Sequence, residues 1–198
     1  MLSFQKQIFI FILTICLSCN QTSSKIERSI EQLRQRKIAE FLDPKSSPLD
    51  AEELKTFKGI AFFPINEKYK VKATLVKLPN LPEFDMPHSL NRTYKYQKFG
   101  EVTFTLVEKK FTLPVYTNEH LKKDSSLFFS FTDLTNGKET YGGGKYMDVK
   151  YNGVSNEVIL DFNESYFPYC AYSHRYSCPI VPKENHIDLE IKVGEKYK

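Results

Sequence analysis

Beyond residue 69, apolar side chains recur at every second position, and no other feature of the chain restricts its fold so strongly. Tyr69, Val71, Ala73 and Leu75 alternate with Lys70, Lys72 and Thr74. Val102, Phe104 and Leu106 make a second row; Phe111, Leu113 and Val115 make a third beyond a Glu108-Lys109-Lys110 turn. Leu127, Phe129 and Phe131 lead to the dipeptide Asn136-Gly137. Met147, Val149 and Tyr151 lead to another, Asn152-Gly153, before Val158, Leu160 and Phe162. Ile187, Leu189, Ile191 and Val193 close the chain. Successive strand residues face opposite ways, so each row is one half-buried face, and Asn-Gly is a favoured hairpin turn. The pattern predicts a mainly β (α+β) domain, an antiparallel β-sandwich or barrel. Residues 79–87, punctuated by prolines, read as the longest loop. No helical pattern follows Gly142-Gly143-Gly144, so this run predicts a bulge or tight connection rather than a phosphate cradle.

One segment has a different period. Ile26, Ile30, Leu33 and Phe41 or Leu42 recur at near-helical spacing among charges, predicting an amphipathic N-terminal helix over residues 25–42 that stops before Pro44. Residues 46–54 predict a further short helix, with Asp50 as a candidate N-cap.

The first residues carry an export signal. Lys6 precedes an apolar run at residues 8–17, and Ser18-Cys19 is followed by polar residues 20–24. Such a run is short of the roughly 20 residues that span a bilayer, but it suits a secretory signal. A small residue directly before cysteine resembles a bacterial lipobox, with Cys16 where Leu is usual three positions earlier. Residues 1–18 therefore read as a lipoprotein signal peptide, 19–24 as a lipidated tether and 25–198 as a single β-rich domain. The expected partner is the membrane, through lipidated Cys19, because more than one acyl chain holds stably. Asn20, not Asp, favours the outer membrane of a bacterial envelope. A net charge of +4, dispersed along the chain, is no nucleic-acid footprint.

Chemistry concentrates in residues 161–185. Asp161 and Asn163 begin the stretch, Tyr166, Tyr169, Tyr172 and Tyr176 run through it, and Glu184-Asn185 ends it. The carboxylates and amides, with Asp133 nearby in type, either line a polar pocket capable of acid–base work or cap turns. The tyrosines either wall a ligand or pack a loop on the sheet. Lys145 shares the alternation of Met147 and Val149. It points inward, with Asp133 or Asp161 as its partner, or sits at a strand mouth with its ammonium in water. Cys170 and Cys178 read as a disulfide, suited to an exported domain. The rival readings are a zinc set completed by His174 and His186 and a nucleophilic thiol. No nucleophile elbow, zinc-protease helix, Walker loop or dinucleotide fingerprint is present, and no cofactor is implied.

Taken together, these residues resemble the bacterial domain-of-unknown-function family 1684, in its short lipoprotein form. The resemblance runs from about Arg36 to Lys196. It is densest at residues 57–64 (FKGIAFFP), 131–133 (FTD), 139–146 (ETYGGGKY), 161–163 (DFN), 169–172 (YCAY), 178–179 (CP), 182–185 (PKEN) and 194–196 (GEK). Lys145 stands where the family pattern has Arg, Phe167 where it has Asn and Val181 where it has Pro; His174 lies outside the pattern. The family has no agreed activity, so the resemblance implies an architecture and a candidate site. Ligand-binding candidates are Asp133, Tyr141, Lys145, Asp161, Asn163, Tyr166, Tyr172, Glu184 and Asn185. The resulting expectation is a lipid-anchored envelope protein with a small-ligand-binding or structural module. The alternative is a hydrolase-like envelope enzyme using a carboxylate, lysine, thiol or metal site.

Overall fold

A computed structural model of the chain describes residues 24–197; the predicted signal segment and Cys19 lie outside them. Helix α1, Lys25–Leu42, opens with a capping box in which Ser24 Oγ accepts from Glu27 N–H and the Glu27 carboxylate accepts from Ser24 N–H. This satisfies amides that a helix start otherwise leaves orphaned. Helix α2, Ala51–Thr56, is capped the same way by Asp50 and Glu53, beginning later than its predicted span. The strands β1 (Ala61–Phe62), β2 (Lys70–Lys77), β3 (Phe84–His88), β4 (Arg92–Leu106) and β5 (Lys109–Thr117) follow. A short helix α3, Glu119–Lys123, precedes β6 (Ser126–Asp133), β7 (Lys145–Lys150), β8 (Glu157–Asp161), β9 (His186–Ile187) and β10 (Glu195–Lys196).

The main sheet runs β7-β6-β5-β4-β2-β8, with β3 added beside β4 and β9 beside β6. Its antiparallel strands curl into a nearly closed barrel, which resolves the sandwich-or-barrel alternative. The predicted inward rows fill it: Ala73, Leu75, Val102, Phe104, Leu106, Phe129, Phe131, Met147, Val149, Val158 and Leu160 form one apolar core. Each of the larger side chains, Ala73 apart, contributes about 1.5–3 kcal/mol on full burial. Between β4 and β5, Val107 and Glu108 both take positive φ, making a tight turn whose twist suits the hairpin.

Three expectations need correction. The presumed loop 79–87 contains strand β3, and β4 begins at Arg92, well ahead of its inward row. Pro87 is compatible with β3 because the strand lies at an edge, its one ladder being with β4. On its other side only an isolated bridge from His88 to Pro179 forms, and there Pro87 serves as an acceptor for Ile180 N–H. Residues 187–193 form no continuous strand, although Ile187, Ile191 and Val193 are fully buried in the barrel core. Asn136-Gly137 does not join β6 and β7 as a two-residue hairpin; the connection runs from residue 134 to 144. Gly144 in that connection adopts φ +91°, and a Cβ there would stand 2.6 Å from Phe131 O.

Strands β7 and β8 close the barrel only partly. They lie beside each other without a backbone ladder, leaving a seam. The inward set of β7 is Lys145, Met147 and Val149; Tyr146, Asp148 and Lys150 face outward. Tyr166 forms a two-bond bridge to Tyr146 and covers the start of that edge. Helix α1 packs alongside, with Phe41 buried among Leu49, Ile60, Phe57 and Tyr172.

Candidate functional site

Lys145 points inward, one of the two placements its alternation left open, and is fully buried. Its ammonium stands 3.1 Å from Asp133 Oδ2 and donates to Ile191 O at 2.7 Å. Burial pulls its pKa down, and the adjacent Asp133 charge opposes that shift. Asp133 Oδ1 accepts from Thr135 N–H at 2.7 Å, from Thr135 O–H at 2.5 Å and from Ile191 N–H at 3.4 Å. The pair ties β6, β7 and the irregular C-terminal segment together inside the protein. Both side chains are fully buried.

Other predicted site residues also make hydrogen bonds within the fold. Asp161 Oδ1 accepts from Asn163 N–H at 3.1 Å and Asn163 Nδ2 at 2.8 Å, while Oδ2 lies 3.2 Å from Lys70 Nζ. The Asn163 amide in turn clips the Asn66 backbone, accepting from its N–H at 2.8 Å and donating to its carbonyl at 3.0 Å. Asn185 repairs the sheet. Pro114 brings no N–H to the β5–β6 interface, and Asn185 Nδ2 donates to Pro114 O at 3.1 Å and Ser130 O at 2.7 Å. Glu184 is exposed and accepts from Tyr116 O–H at 3.3 Å.

The cysteines differ from expectation. Cys170 and Cys178 are free thiols, not a disulfide; Cys178 Sγ accepts the backbone N–H of Cys170 at 3.3 Å. A hydrogen bond from Cys178 lowers the pKa of the Cys170 thiol, against the opposing effect of burial, and the same bond raises that of Cys178. Tyr141 O–H lies 3.8 Å from Cys170 Sγ, and burial followed by that contact pushes its pKa up to about 12. His186 is engaged by Thr132 Oγ1 at 2.9 Å. Among the described residues, no three His, Cys, Asp or Glu side chains gather as a metal set.

The tyrosines lead to a cleft whose α1 and β7 sides sequence reasoning did not anticipate. A cleft of about 640 Å³ lies between α1 and the outer face of the barrel. Ile30, Leu33, Arg34 and Lys37 roof it; Tyr146, Asp148 and Lys150 of β7 floor it; Tyr166, Pro168 and Tyr169 form a wall. Glu195 lies at its inner end, with a fully buried side chain. Its Oε2 accepts from Phe167 N–H and Tyr172 O–H, both at 2.7 Å. Its Oε1 meets Lys37 Nζ at 2.5 Å, and that ammonium also lies 4.5 Å from the Tyr166 ring centroid. Tyr172 is pushed strongly upward in pKa by burial and then by the Glu195 charge, so it stays a donor.

The polar groups around the opening are largely committed. Tyr166 O–H donates to Asp148 at 3.1 Å and Tyr169 O–H to Glu40 at 2.8 Å. Arg34 donates to Phe63 O at 3.0 Å and covers the Phe62 ring at 4.6 Å. Asp148 keeps an exposed face but is crowded in the seam, and that loss of hydration raises its pKa against the Tyr166 bond. Glu164 is raised by the same cause and then by Asp161. Of the predicted candidates, Asn163 and Tyr166 line the cleft and Tyr172 lies behind Glu195. Asp133, Lys145, Asn185 and Tyr141 lie elsewhere. The signal for Glu195 was available: a glutamate closing the alternating, apolar C-terminal segment beside Gly194.

These features define a small, nearly closed antiparallel β-barrel with a helix-roofed cleft on its outer face. The chain belongs to the family described as protein of unknown function (DUF1684), whose profile matches residues 55–196. It is similar to the solution NMR structure of the uncharacterized protein from gene locus rrnAC0354 of Haloarcula marismortui. That likeness has a TM-score of 0.67 and 30% sequence identity over 86% of this chain and 94% of the other. No curated protein matches the chain.

Proposed function

We propose that this protein is a lipid-anchored envelope protein whose barrel holds a small ligand in the cleft beneath α1. The cleft carries this reading. Its volume of about 640 Å³ falls within the roughly 300–1,000 Å³ of small-molecule sites, which combine apolar walls with a few placed polar groups. Ile30, Leu33, Phe62 and Pro168 supply the apolar walls; Lys37, Asp148, Tyr166 and Glu195 supply the polar groups. The anchor reading rests on Ser18-Cys19 after the apolar run, which would place diacylglyceryl on Cys19 and hold the domain at the outer membrane. Helix α1 begins only a few residues beyond Cys19, so the roof of the cleft would sit close to the lipid surface.

Two measurements test these parts separately. Labelled palmitate should enter the full chain in cells and disappear in Cys19→Ser; undiminished labelling would sink the anchor. A fragment screen read by amide chemical shifts should move Leu33, Asp148, Lys150 and Tyr166. Binding that shifts only other regions, or no binding at all, would remove the ligand-site reading.

A further inference from the structure

Glu195 is placed differently from every other acid in the cleft. Its side chain is fully buried, and two neutral donors, Phe167 N–H and Tyr172 O–H, share one oxygen. They leave Oε1 facing α1 without any partner except the Lys37 ammonium. A buried carboxylate without a counter-charge is strongly unfavourable, so something cationic must occupy that position. The position also has an aromatic face, the Tyr166 ring, of the kind that attracts ammonium groups. Carboxylate, tyrosine hydroxyl and ring all come from residues 166–195, within the segment the family profile covers, whereas Lys37 comes from α1, outside it. Lys37 reaches the position with its side chain 20% exposed, so the covering lysine, unlike the carboxylate behind it, keeps access to solvent.

We propose that Glu195, Tyr166 and Tyr172 form a receptor for a primary ammonium group, that Lys37 occupies it as a resident ligand, and that the cleft's own ligand is a cationic amine with an apolar body. This deepens the small-ligand reading and rests on it. The ammonium of the ligand takes the place of Lys37 Nζ against Glu195 Oε1 and the Tyr166 ring, and its apolar portion lies along Ile30, Leu33 and Pro168. The compact, three-donor ammonium fits a single carboxylate oxygen and a ring face; a planar guanidinium would need a bidentate acceptor that Glu195, with Oε2 already engaged, does not offer.

Chemical complementation tests the receptor in the detergent-solubilised full chain. Lys37→Ala should lower the melting temperature, and n-butylammonium chloride should restore part of it with a saturable dose response and shift the Tyr166 ring resonances. Tetramethylammonium chloride and sodium chloride at equal ionic strength should not, because neither donates a hydrogen bond to Oε1. Lys37→Ala/Glu195→Gln should lose the response. If Lys37→Ala does not fold, Lys37→Gln keeps the helix and the stem, and n-butylammonium should compete with its neutral amide in the same way. Absence of a saturable butylammonium response, or an equal response to tetramethylammonium, overturns the proposal. If fragments still bind the cleft in that case, the ligand-site reading survives without the amine; if they do not, both fall together.

Discussion

Replacing Lys145 by Met isolates the buried ion pair. Methionine keeps most of the volume and all of the flexibility of the stem, so the packing change is small. What is lost is the charge facing Asp133 Oδ2 at 3.1 Å and the donor to Ile191 O at 2.7 Å, both inside the protein. Breaking a buried pair by removing one partner costs about 3–5 kcal/mol, because the other charge stays behind unpaired. For a domain of this size, each kcal/mol moves the melting temperature by about 2–4 °C, so a loss near 4 kcal/mol predicts a fall of about 8–16 °C. Asp133→Asn should cost a similar amount, since it strands the ammonium instead. The double variant Lys145→Met/Asp133→Asn strands neither charge, so it should lie about 2 kcal/mol or more above the sum of the singles. Urea unfolding followed by circular dichroism and tyrosine emission suits a chain with no Trp. Additive single-variant effects, or a Lys145→Met cost below about 1 kcal/mol, would refute the claim that the pair is sealed and mutually dependent.

Other predictions follow from the same contacts. Asn185→Ala removes the amide that bridges Pro114 O and Ser130 O; a loss of about 1–3 kcal/mol is expected, with faster amide exchange in β5 and β6, and unchanged exchange would refute the bridging role. Asn163→Ala leaves Asn66 N–H and C=O without their clip, so the Asn66 amide should exchange markedly faster while the barrel core stays protected. Asp148 and Glu164 have raised folded pKa values through reduced hydration. Their contribution to stability is full below about pH 4 and is lost as pH rises through those folded values. Asp148→Asn should therefore flatten the decline in melting temperature above pH 4, modestly because Asp148 keeps an exposed face; an unchanged pH profile counts against it. Cys170 and Cys178 are free thiols, so iodoacetamide under denaturing, non-reducing conditions should add two labels to the chain between residues 25 and 198; protection of both would contradict the structure.

The parity of the alternating rows made the barrel interior legible. Ala73, Phe104, Phe129, Val149 and Leu160 are inward because strand geometry assigns neighbouring residues to opposite faces, whatever lies beyond. The same parity left Lys145 either inside or at a strand mouth, and its burial against Asp133 decided between them; local hydrogen bonding accounts for Asp161 capping its own chain through Asn163. Helix α1 was legible for an equally local reason, the near-helical recurrence of Ile26, Ile30, Leu33 and Phe41 among charges. Ile187, Ile191 and Val193 show the limit of this logic: they carry strand-like alternation and reach the core, but most of their segment has no strand neighbour to continue a ladder. Strand β3 shows the converse, since a proline-bearing segment becomes a strand once β4 offers it an edge.

The cleft belongs to tertiary structure alone. Lys37 and Glu195 come from opposite ends of the described chain, and no periodicity relates them. Each looks like an ordinary solvated charge until the docking of α1 removes water from the carboxylate and requires a counter-charge. Cys170 and Cys178 illustrate the same division: their spacing allows a disulfide, but the folded backbone decides whether the sulfurs bond to each other or one accepts an amide. The sequence by itself therefore determined which residues enter the barrel, because that choice follows from backbone alternation. Only the tertiary structure decided which buried charges meet, because desolvation and distance exist only after folding.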